Sequence, residues 1–253
     1  MAKAFFFDWF NTLADYEPPR NRLYCQAFKE LGIEIPLDKA TRGVVLGDEC
    51  VYSENLRFPL AKRSPEERFE VYLAFPRMIL SEAKIEATHE VLAQVRNRIR
   101  ELFKPEEQVF VLFPDVLPNM KKLKEMGFTL GVHPEGSTRR VLPEGLKLGV
   151  VTNLRDDMNP VVFKLGLKPY LDVLLTSEIA GVPKPNPGIF QKACEMVGVK
   201  PEEAIYVGDQ HQIDVQGARR AGLKPVLIDR CDLYSHVTDC PRIKTLDEIY
   251  QHL

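Results

Sequence analysis

The chain has 253 residues, of which 45% are hydrophobic, which is enough for one large domain or for a core with a smaller companion. With 34 basic and 36 acidic residues and a pI near 6.3, its charge gives no support for binding nucleic acid or an anionic membrane. The five cysteines are scattered without metal or disulfide spacing, which favours a reduced, cytoplasmic setting. These features leave the oligomeric state open.

The chain begins with a short apolar run that ends in a carboxylate. Residues 4–13 read Ala-Phe-Phe-Phe-Asp-Trp-Phe-Asn-Thr-Leu, and a run this short predicts a buried strand that ends at Asp8. Interruption by Asp8 favours a strand over a signal peptide, and no stretch approaches the length of a membrane span. Open α/β sheets bind ligands at the carboxyl ends of their strands, so Asp8 is a candidate nucleophile. An aspartate that only begins a turn is the commoner case, so the other segments of the chain are needed to distinguish a nucleophile from a turn residue at this position.

The next segment has a different character. Between residues 17 and 107 the apolar residues follow helical spacing and the remaining faces are charged. The pattern predicts helices over residues 22–31, 39–56, 65–81 and 88–102, with turns at Pro36, Pro59 and Pro105. We interpret residues 16–109 as a helical insertion into a core formed by residues 1–15 and 110–253, which the chain re-enters with a helix over 117–126.

A near repeat lies at residues 127–150. Its first copy reads Gly-Phe-Thr-Leu-Gly-Val from residue 127, and its second reads Gly-Leu-Lys-Leu-Gly-Val from residue 145. Only the second copy runs into a threonine, Thr152, because Pro134 holds the equivalent position in the first. The second copy is therefore predicted to be a strand at the site, and the first an extra strand or hairpin arm.

Two segments supply further polar groups. The predicted strand 146–151 ends at Thr152 and Asn153. Residues 181–187 read Gly-Val-Pro-Lys-Pro-Asn-Pro, which places Lys184 in a stiff, proline-bracketed turn before a helical pattern. A hydroxyl and a cation are thus expected in loops that follow strands.

A fourth segment supplies an acidic pair. The predicted strand 204–207 is followed by Gly208 and Asp209, and Asp214 lies five residues further on. Together the four segments offer a nucleophile, a hydroxyl, a cation and two carboxylates.

In this order and at this spacing, the four segments resemble the motifs of the haloacid dehalogenase superfamily over roughly residues 1–15 and 110–232. The resemblance implies an α/β fold, a doubly wound Rossmann-like parallel sheet with a helical cap inserted after the first motif. The strands are expected near residues 4–8, 146–151, 172–175, 204–207 and 225–228, with a closing helix over 246–252.

The resemblance also implies roles for the site residues. In that family Asp8 would attack the substrate, Thr152 would hold an oxyanion and Lys184 would neutralise charge. Asp209 and Asp214 would organise Mg²⁺. Such an arrangement is chemically sensible, since a carboxylate that attacks a phosphoryl group must overcome repulsion between anions, which a divalent cation and a lysine relieve.

One position departs from the phosphatase pattern. Phosphatases of this family carry a second aspartate two residues after the nucleophile, as general acid and base, and here that residue is Phe10. A general acid contributes about 10²–10⁴-fold, so its loss restricts turnover to leaving groups that depart readily as anions. The backbone carbonyl of Phe10 remains, and we expect it to bind Mg²⁺ together with Asp8 and Asp209, with Asp214 close by. Asn153 is expected to contact the substrate beside Thr152 and Lys184.

The preferred function is Mg²⁺-dependent hydrolysis of small phosphorylated metabolites through an aspartyl-phosphate on Asp8. A metal-independent 2-haloacid dehalogenase is an alternative, because those enzymes carry an aromatic residue at the position of Phe10. Asp209 and Asp214 argue against it, as does Phe190, which stands where those dehalogenases usually show tyrosine.

Two further alternatives stay open. A phosphonate hydrolase would need a particular cap lysine, which is not identifiable among Lys29, Lys39 and Lys62. A family member that binds or regulates without turnover would keep the fold and the pocket. His211, next to the acidic loop, is either a replacement for the missing proton donor or an exposed loop residue.

Overall fold

The computed structural model describes residues 2–86, 88–104, 109–127, 145–154 and 156–252. The chain divides into two compact units, one formed by Met1–Asp15 with Val111–Leu253 and the other by Tyr16–Phe110. We refer to them as the core unit and the helical unit.

The strands are β1 (Ala4–Phe7), β2 (Ala14–Glu17), β3 (Val109–Leu112), β4 (Lys147–Thr152), β5 (Val173–Thr176), β6 (Ala204–Gly208), β7 (Lys224–Ile228) and β8 (Arg242–Ile243). The helices are α1 (Arg20–Glu30), α2 (Leu37–Arg57), α3 (Pro65–Tyr72), α4 (Ala74–Glu82), α5 (His89–Leu102), α6 (Val116–Gly127), α7 (Asn159–Lys164), α8 (Ser177–Ala180), α9 (Pro187–Val197) and α10 (Gln216–Arg220). A π-helical turn spans His211–Val215, and 3₁₀ turns lie at Leu60–Lys62, Lys168–Tyr170, Pro201–Glu203 and Leu246–His252.

The core unit contains a parallel sheet with the strand order β5-β4-β1-β6-β7-β8. From β1 the chain proceeds to β4 and β5 on one side, and β6, β7 and β8 follow on the other. The predicted α/β fold with a doubly wound parallel sheet is confirmed, and its predicted strands lie within a residue or two of β1, β4, β5, β6 and β7. All these strands point the same way, so their carboxyl ends share one edge.

The apolar run at the start of the chain is explained by the position of β1 at the centre of the sheet. Ala4 pairs with Lys147 on β4 and with Ala204 on β6. Every residue of β1 is fully buried, as expected of a parallel strand covered on both faces. Helix α9 packs against β4 and β5, and α10 packs against β7.

The helical unit packs its helices around an apolar cluster that includes Phe28, Val44 and Ile79. Helices α2 and α4 approach closely at Gly43, where a Cβ atom would lie 2.4 Å from the Cα of Ile79. The predicted helices over 22–31, 39–56 and 88–102 correspond to α1, α2 and α5.

The single helix predicted over 65–81 is wrong, because α3 ends at Tyr72 and α4 begins at Ala74. Pro76 lacks the N–H that would bond to the carbonyl of Tyr72, so the helix cannot continue through this point. Leu73 joins the two helices.

The near repeat is described only in part. Its second copy is β4, as predicted. Of its first copy only Gly127, the last residue of α6, is described, and residues 128–132 lie outside the described residues, as does Pro105. The closing helix expected over 246–252 is a 3₁₀ helix, and β8 has no counterpart among the predicted strands. Among the described helices, none combines the length and the apolar character needed to cross a membrane.

Candidate active site

Asp8 lies where β1 ends, at the carboxyl edge of the sheet. Its backbone N–H donates a hydrogen bond of 2.8 Å to the carbonyl of Val207 on β6. The chain then turns sharply, with the N–H groups of Leu13 and Ala14 both donating to the carbonyl of Trp9. Asn11 takes a left-handed backbone conformation in this turn, with φ of 55°, which asparagine tolerates better than most residues. The turn leaves Asp8 only 7% exposed.

Lys184 connects the nucleophile candidate to one of the two later aspartates. Its Nζ donates to Oδ1 of Asp8 at 2.6 Å and to Oδ1 of Asp214 at 2.7 Å. The lysine is 3% exposed. Burial by itself lowers the pKa of Lys184, but the carboxylates of Asp214 and Asp8 outweigh it and raise that pKa well above its ordinary value. The ammonium group is therefore held in its charged form between two carboxylates.

Asn153 fixes the backbone of this lysine. Its Oδ1 accepts a 2.7 Å hydrogen bond from the N–H of Lys184, and its Nδ2 donates a 3.0 Å bond to the Lys184 carbonyl. Asn153 therefore positions Lys184. Its amide keeps a second N–H and a second oxygen lone pair, so the expectation that it contacts the substrate stays a prediction.

Tyr206 is a member of the site that the sequence did not reveal. Its hydroxyl accepts a 2.9 Å hydrogen bond from Nζ of Lys184, and it lies 3.1 Å from the carbonyl of Val151 and 3.2 Å from Oδ1 of Asp214. The ring of Phe190 packs edge-on against the Tyr206 ring, with 4.8 Å between centroids. The available signal was a lone hydroxyl in an otherwise apolar strand that ends at the acidic loop.

Asp214 is held by both of its carboxylate oxygens. Oδ1 accepts from Lys184, and Oδ2 accepts a 3.0 Å hydrogen bond from the backbone N–H of Gln210. The π-helical turn that carries Asp214 brings it against β6 at Gly208, where a Cβ atom would lie 2.4 Å from Cγ of Asp214. A residue larger than glycine at position 208 would displace this carboxylate.

Asp209 differs from Asp8 and Asp214 in the hydrogen bonding of its carboxylate. It is 5% exposed, and within the described part of the chain neither carboxylate oxygen has a hydrogen-bond partner. Oxygens of Asp8, Asp209 and Asp214 lie within 4.8 Å of one another. Buried polar groups without partners are costly and uncommon in native proteins. An oxygen-rich, negatively charged pocket with an unsatisfied carboxylate is the donor set that suits a hard divalent cation such as Mg²⁺.

Burial and the nearby carboxylates also raise the pKa values of Asp8 and Asp209. Burial is the main cause that raises the pKa of Asp8 to about 6, with Asp214 adding to it and Lys184 opposing it. Burial, followed by the charges of Asp8 and Asp214, raises the pKa of Asp209 well above its usual range. The side chain of Asn11 lowers the Asp209 pKa slightly, although its Nδ2 does not reach hydrogen-bond geometry. A bound cation would favour the ionised form of both groups.

Thr152 and Phe10 occupy the positions that the sequence indicated. Thr152 lies at the end of β4 and is 2% exposed, and its Oγ1 accepts a 3.2 Å hydrogen bond from the N–H of Leu154. That bond leaves the hydroxyl proton available for donation. Phe10 is half-buried in the turn after β1, where it forms an isolated bridge with Ala14, and its ring brings no acid to the site.

His211 belongs to a separate network of side chains. Its Nε2 lies 2.9 Å from Oδ1 of Asp239, whose other oxygen accepts a 2.7 Å hydrogen bond from Arg219. The sequence left open whether His211 replaces the missing proton donor or is an exposed loop residue. The structure gives it an anionic partner, Asp239, that is itself exposed.

Known proteins resemble this chain in sequence and fold. A family model described as haloacid dehalogenase-like hydrolase matches residues 2–222. The chain is 39% identical to the glyceraldehyde 3-phosphate phosphatase of Methanopyrus kandleri over 118 residues, which are 47% of this chain and 43% of that protein. It is 38% identical to haloacid dehalogenase-like hydrolase domain-containing protein 3 of Bos taurus over 94 residues, 37% of this chain and 38% of that protein. These matches span less than half the length of either relative.

A solved structure extends the likeness to the whole chain. The crystal structure of a HAD phosphatase from Thermococcus onnurineus superposes with a TM-score of 0.53 and 25% identity, covering 99% of this chain and 97% of that one. The family match covers most of the chain. The chain therefore belongs to the haloacid dehalogenase-like hydrolases.

Proposed function

We propose that this protein is a Mg²⁺-dependent phosphatase of small phosphorylated metabolites and that it acts through an aspartyl-phosphate on Asp8. One observation carries the proposal: Lys184 holds Asp8 and Asp214 together in a buried site where Asp209 has no hydrogen-bond partner among the described residues. In this proposal Asp8 is the nucleophile, and a cation would neutralise the excess of negative charge in the site.

Asp8 is the group suited to attack phosphorus. Its Oδ1 is bound by Lys184, which fixes the orientation of the carboxylate and leaves Oδ2 as the attacking oxygen. The attack forms an Oδ2–P bond and breaks the bond from phosphorus to the leaving oxygen, and water then cleaves the aspartyl-phosphate to give phosphate. Fixing the nucleophile before the substrate binds removes part of the orientational cost of the reaction.

The residues fit a magnesium ion. Asp8, Asp209 and the backbone carbonyl of Phe10 would hold it, and Asp214 would lie just outside, since its oxygens are bound by Lys184 and Gln210. When bound, Mg²⁺ would supply positive charge that stabilises the negative charge on the phosphoryl oxygens. Thr152 would donate its hydroxyl proton to a phosphoryl oxygen, and Lys184 would counter the remaining negative charge.

Phe10 restricts the leaving group. No carboxyl group stands at this position to protonate the departing oxygen, so phosphates with acidic leaving groups, namely aryl esters and acyl anhydrides, are the preferred substrates. In our proposal the helical unit is the cap that selects among them. No disulfide joins the five cysteines, which fits action in a reducing compartment such as the cytoplasm.

A metal-independent 2-haloacid dehalogenase is the second candidate, and one observation favours it. The aromatic side chain at position 10 suits a halide, which leaves without a proton. Asp209 weighs against this reading, because without a cation it is a third buried carboxylate in one pocket, and burial together with the charges of Asp8 and Asp214 raises its pKa.

The experiment that tests the proposal is a screen of aryl, acyl and alkyl phosphates and of 2-haloacids, each with Mg²⁺ and with chelator. We expect phosphate release from aryl and acyl phosphates only with Mg²⁺, and its loss in Asp8→Asn but not in Asp38→Asn, an exposed aspartate on α2. Halide release in chelator would replace the proposal with the dehalogenase. Equal turnover by Asp8→Asn and wild type would remove Asp8 as the nucleophile.

A further inference from the structure

The helical unit contains a cavity of about 540 Å³ with aromatic walls. Its lining includes Tyr16, Tyr24, Tyr72, Phe75 and Phe103, which come from β2, from three helices and from the end of α5. A volume of this size is within the range of small-molecule sites. The walls offer flat apolar surfaces and phenol groups, which suit a planar organic body.

Arginine side chains give this cavity a net positive charge. Arg20 is neutralised by Asp48, which accepts two hydrogen bonds from it at 2.9 and 2.6 Å. Arg96 and Arg100 also line the cavity, and in the part of the chain that the structure describes neither forms an ion pair with a carboxylate. These two arginines are four residues apart on α5 and therefore lie on one face of it. Three guanidinium groups face one carboxylate.

Arg96 is the more deeply placed of the two uncompensated arginines. Its guanidinium lies 4.6 Å above the ring of Tyr72, which fixes its plane. Its Nε is buried and, among the described residues, has no hydrogen-bond acceptor. Burial is the main cause that lowers the pKa of Arg96; Tyr24 and Tyr72 oppose it, and the charge of Arg100 acts in the same direction as burial. A buried N–H donor without an acceptor is costly, and an anionic ligand would satisfy it.

Arg98, the next arginine along α5, differs from Arg96 and Arg100 because it has carboxylate partners. Arg98 donates to Glu30 through two nitrogens and to Glu101 through a third. It takes no part in lining the cavity. Helix α5 thus pairs its outward arginine with two carboxylates and leaves its two cavity arginines without any.

We propose that this cavity is a binding site for a small organic anion, with a carboxylate or phosphoryl-type group held by Arg96 and Arg100 and a flat, mainly apolar body between the aromatic side chains. The fork of a guanidinium matches two oxygens of such a group. Binding in this cavity would be a property separate from the proposed phosphatase activity, and it does not require Asp8.

The test is calorimetric titration of the full-length Asp8→Asn protein with phenylphosphonate and, separately, with benzoate. Neither compound is hydrolysed, and the variant removes the proposed nucleophile, so the result does not depend on turnover. We expect at least one of the two anions to bind. Neutral benzyl alcohol should bind with an affinity that is lower by about tenfold or more. The tighter of the two anions identifies the preferred head group.

Substitutions on α5 locate the binding. Arg96→Gln and Arg100→Gln should each weaken binding by about tenfold or more, and Arg98→Gln, the matched control, should leave it unchanged. Arg100 is exposed, so its variant should keep the fold even if Arg96→Gln does not. Equal affinity in Arg98→Gln and Arg100→Gln would overturn the proposal, as would the absence of binding by both anions. Neither outcome would affect the phosphatase proposal, which depends on Asp8.

Discussion

The two units gather charged side chains in opposite balance. In the core unit, three buried carboxylates, Asp8, Asp209 and Asp214, lie near one ammonium group, which leaves two negative charges when all are ionised. In the cavity of the helical unit, three guanidinium groups face the single carboxylate of Asp48, which leaves two positive charges. Such an imbalance is costly where the groups are buried, and a ligand of the opposite charge would reduce that cost. We therefore expect the core unit to bind a cation and the helical unit to bind an anion.

The largest expected effect is from removing the cation of the core site. Lys184→Met leaves Asp8 and Asp214 buried without their partner, and breaking a buried pair in this way costs about 3–5 kcal/mol of unfolding free energy. Phosphatase activity should also fall to background. Urea unfolding measures the first effect and phosphate release the second.

Lys164→Met is the control for this substitution, since Lys164 is exposed on α7. It should change the unfolding free energy by no more than about 0.5 kcal/mol. Equal stability of the two variants would mean that Lys184 does not hold the site together.

Restoring a carboxyl group at position 10 sharpens the account of the core site. If protonation of the leaving group limits turnover, Phe10→Asp should raise the rate on alkyl phosphates by up to about 10²–10⁴-fold, and should raise it less on aryl phosphates. Steady-state kinetics on matched alkyl and aryl esters measure the difference. The same increase for both classes would show that another step is limiting.

Breaking the one compensated pair of the helical cavity should cost less than Lys184→Met. Arg20→Met strands Asp48, whose side chain is 13% exposed, and we expect a loss of about 1.5–3 kcal/mol in unfolding free energy. Arg57→Met is the control, because that arginine is 79% exposed in its pair with Glu54 and should contribute about 0–1 kcal/mol. A larger loss for Arg20→Met than for Lys184→Met would reverse the comparison between the units.

The smallest expected effect is a pH dependence of magnesium binding. The pKa of Asp8 is raised to about 6, so Asp8 holds its proton below that pH, and Mg²⁺ must displace the proton to bind. Affinity should therefore fall as the pH decreases from 7 to 5, with net proton release on binding. Calorimetry in buffers of different ionisation enthalpy measures that release. An affinity that stays constant over this range would show that Asp8 is not a ligand.

The sequence predicted the core better than the helical unit for a physical reason. Parallel strands buried on both faces have continuous apolar runs, and their carboxyl ends must share one edge, so the order of residues alone was enough to group Asp8, Thr152 and Asp209. The contacts of Asn153 with the Lys184 backbone were not predicted, because a side chain's partner depends on the loop that approaches it. Here that loop is the turn with Lys184, 31 residues away.

The features that the sequence did not reveal depend on contacts between elements. The Tyr206 hydroxyl reaches Lys184 and Asp214 from inside a strand, and only the packing of β6 against the neighbouring loops shows this. In the helical unit, spacing could identify α5 as amphipathic. It could not show that Arg98 pairs with carboxylates whereas Arg96 and Arg100, among the described residues, do not, because Glu30, which binds Arg98, comes from another helix.

The central claim is that Asp8 forms a covalent phosphoryl intermediate, and a thermal unfolding experiment tests it most directly. Beryllium fluoride with Mg²⁺ mimics the phosphoryl group on an aspartate, and a ligand that binds only the folded protein raises its unfolding temperature. We predict a clear rise for the wild type and for Asp38→Asn, and none for Asp8→Asn. A rise of equal size in Asp8→Asn, or no rise in the wild type, would contradict the claim.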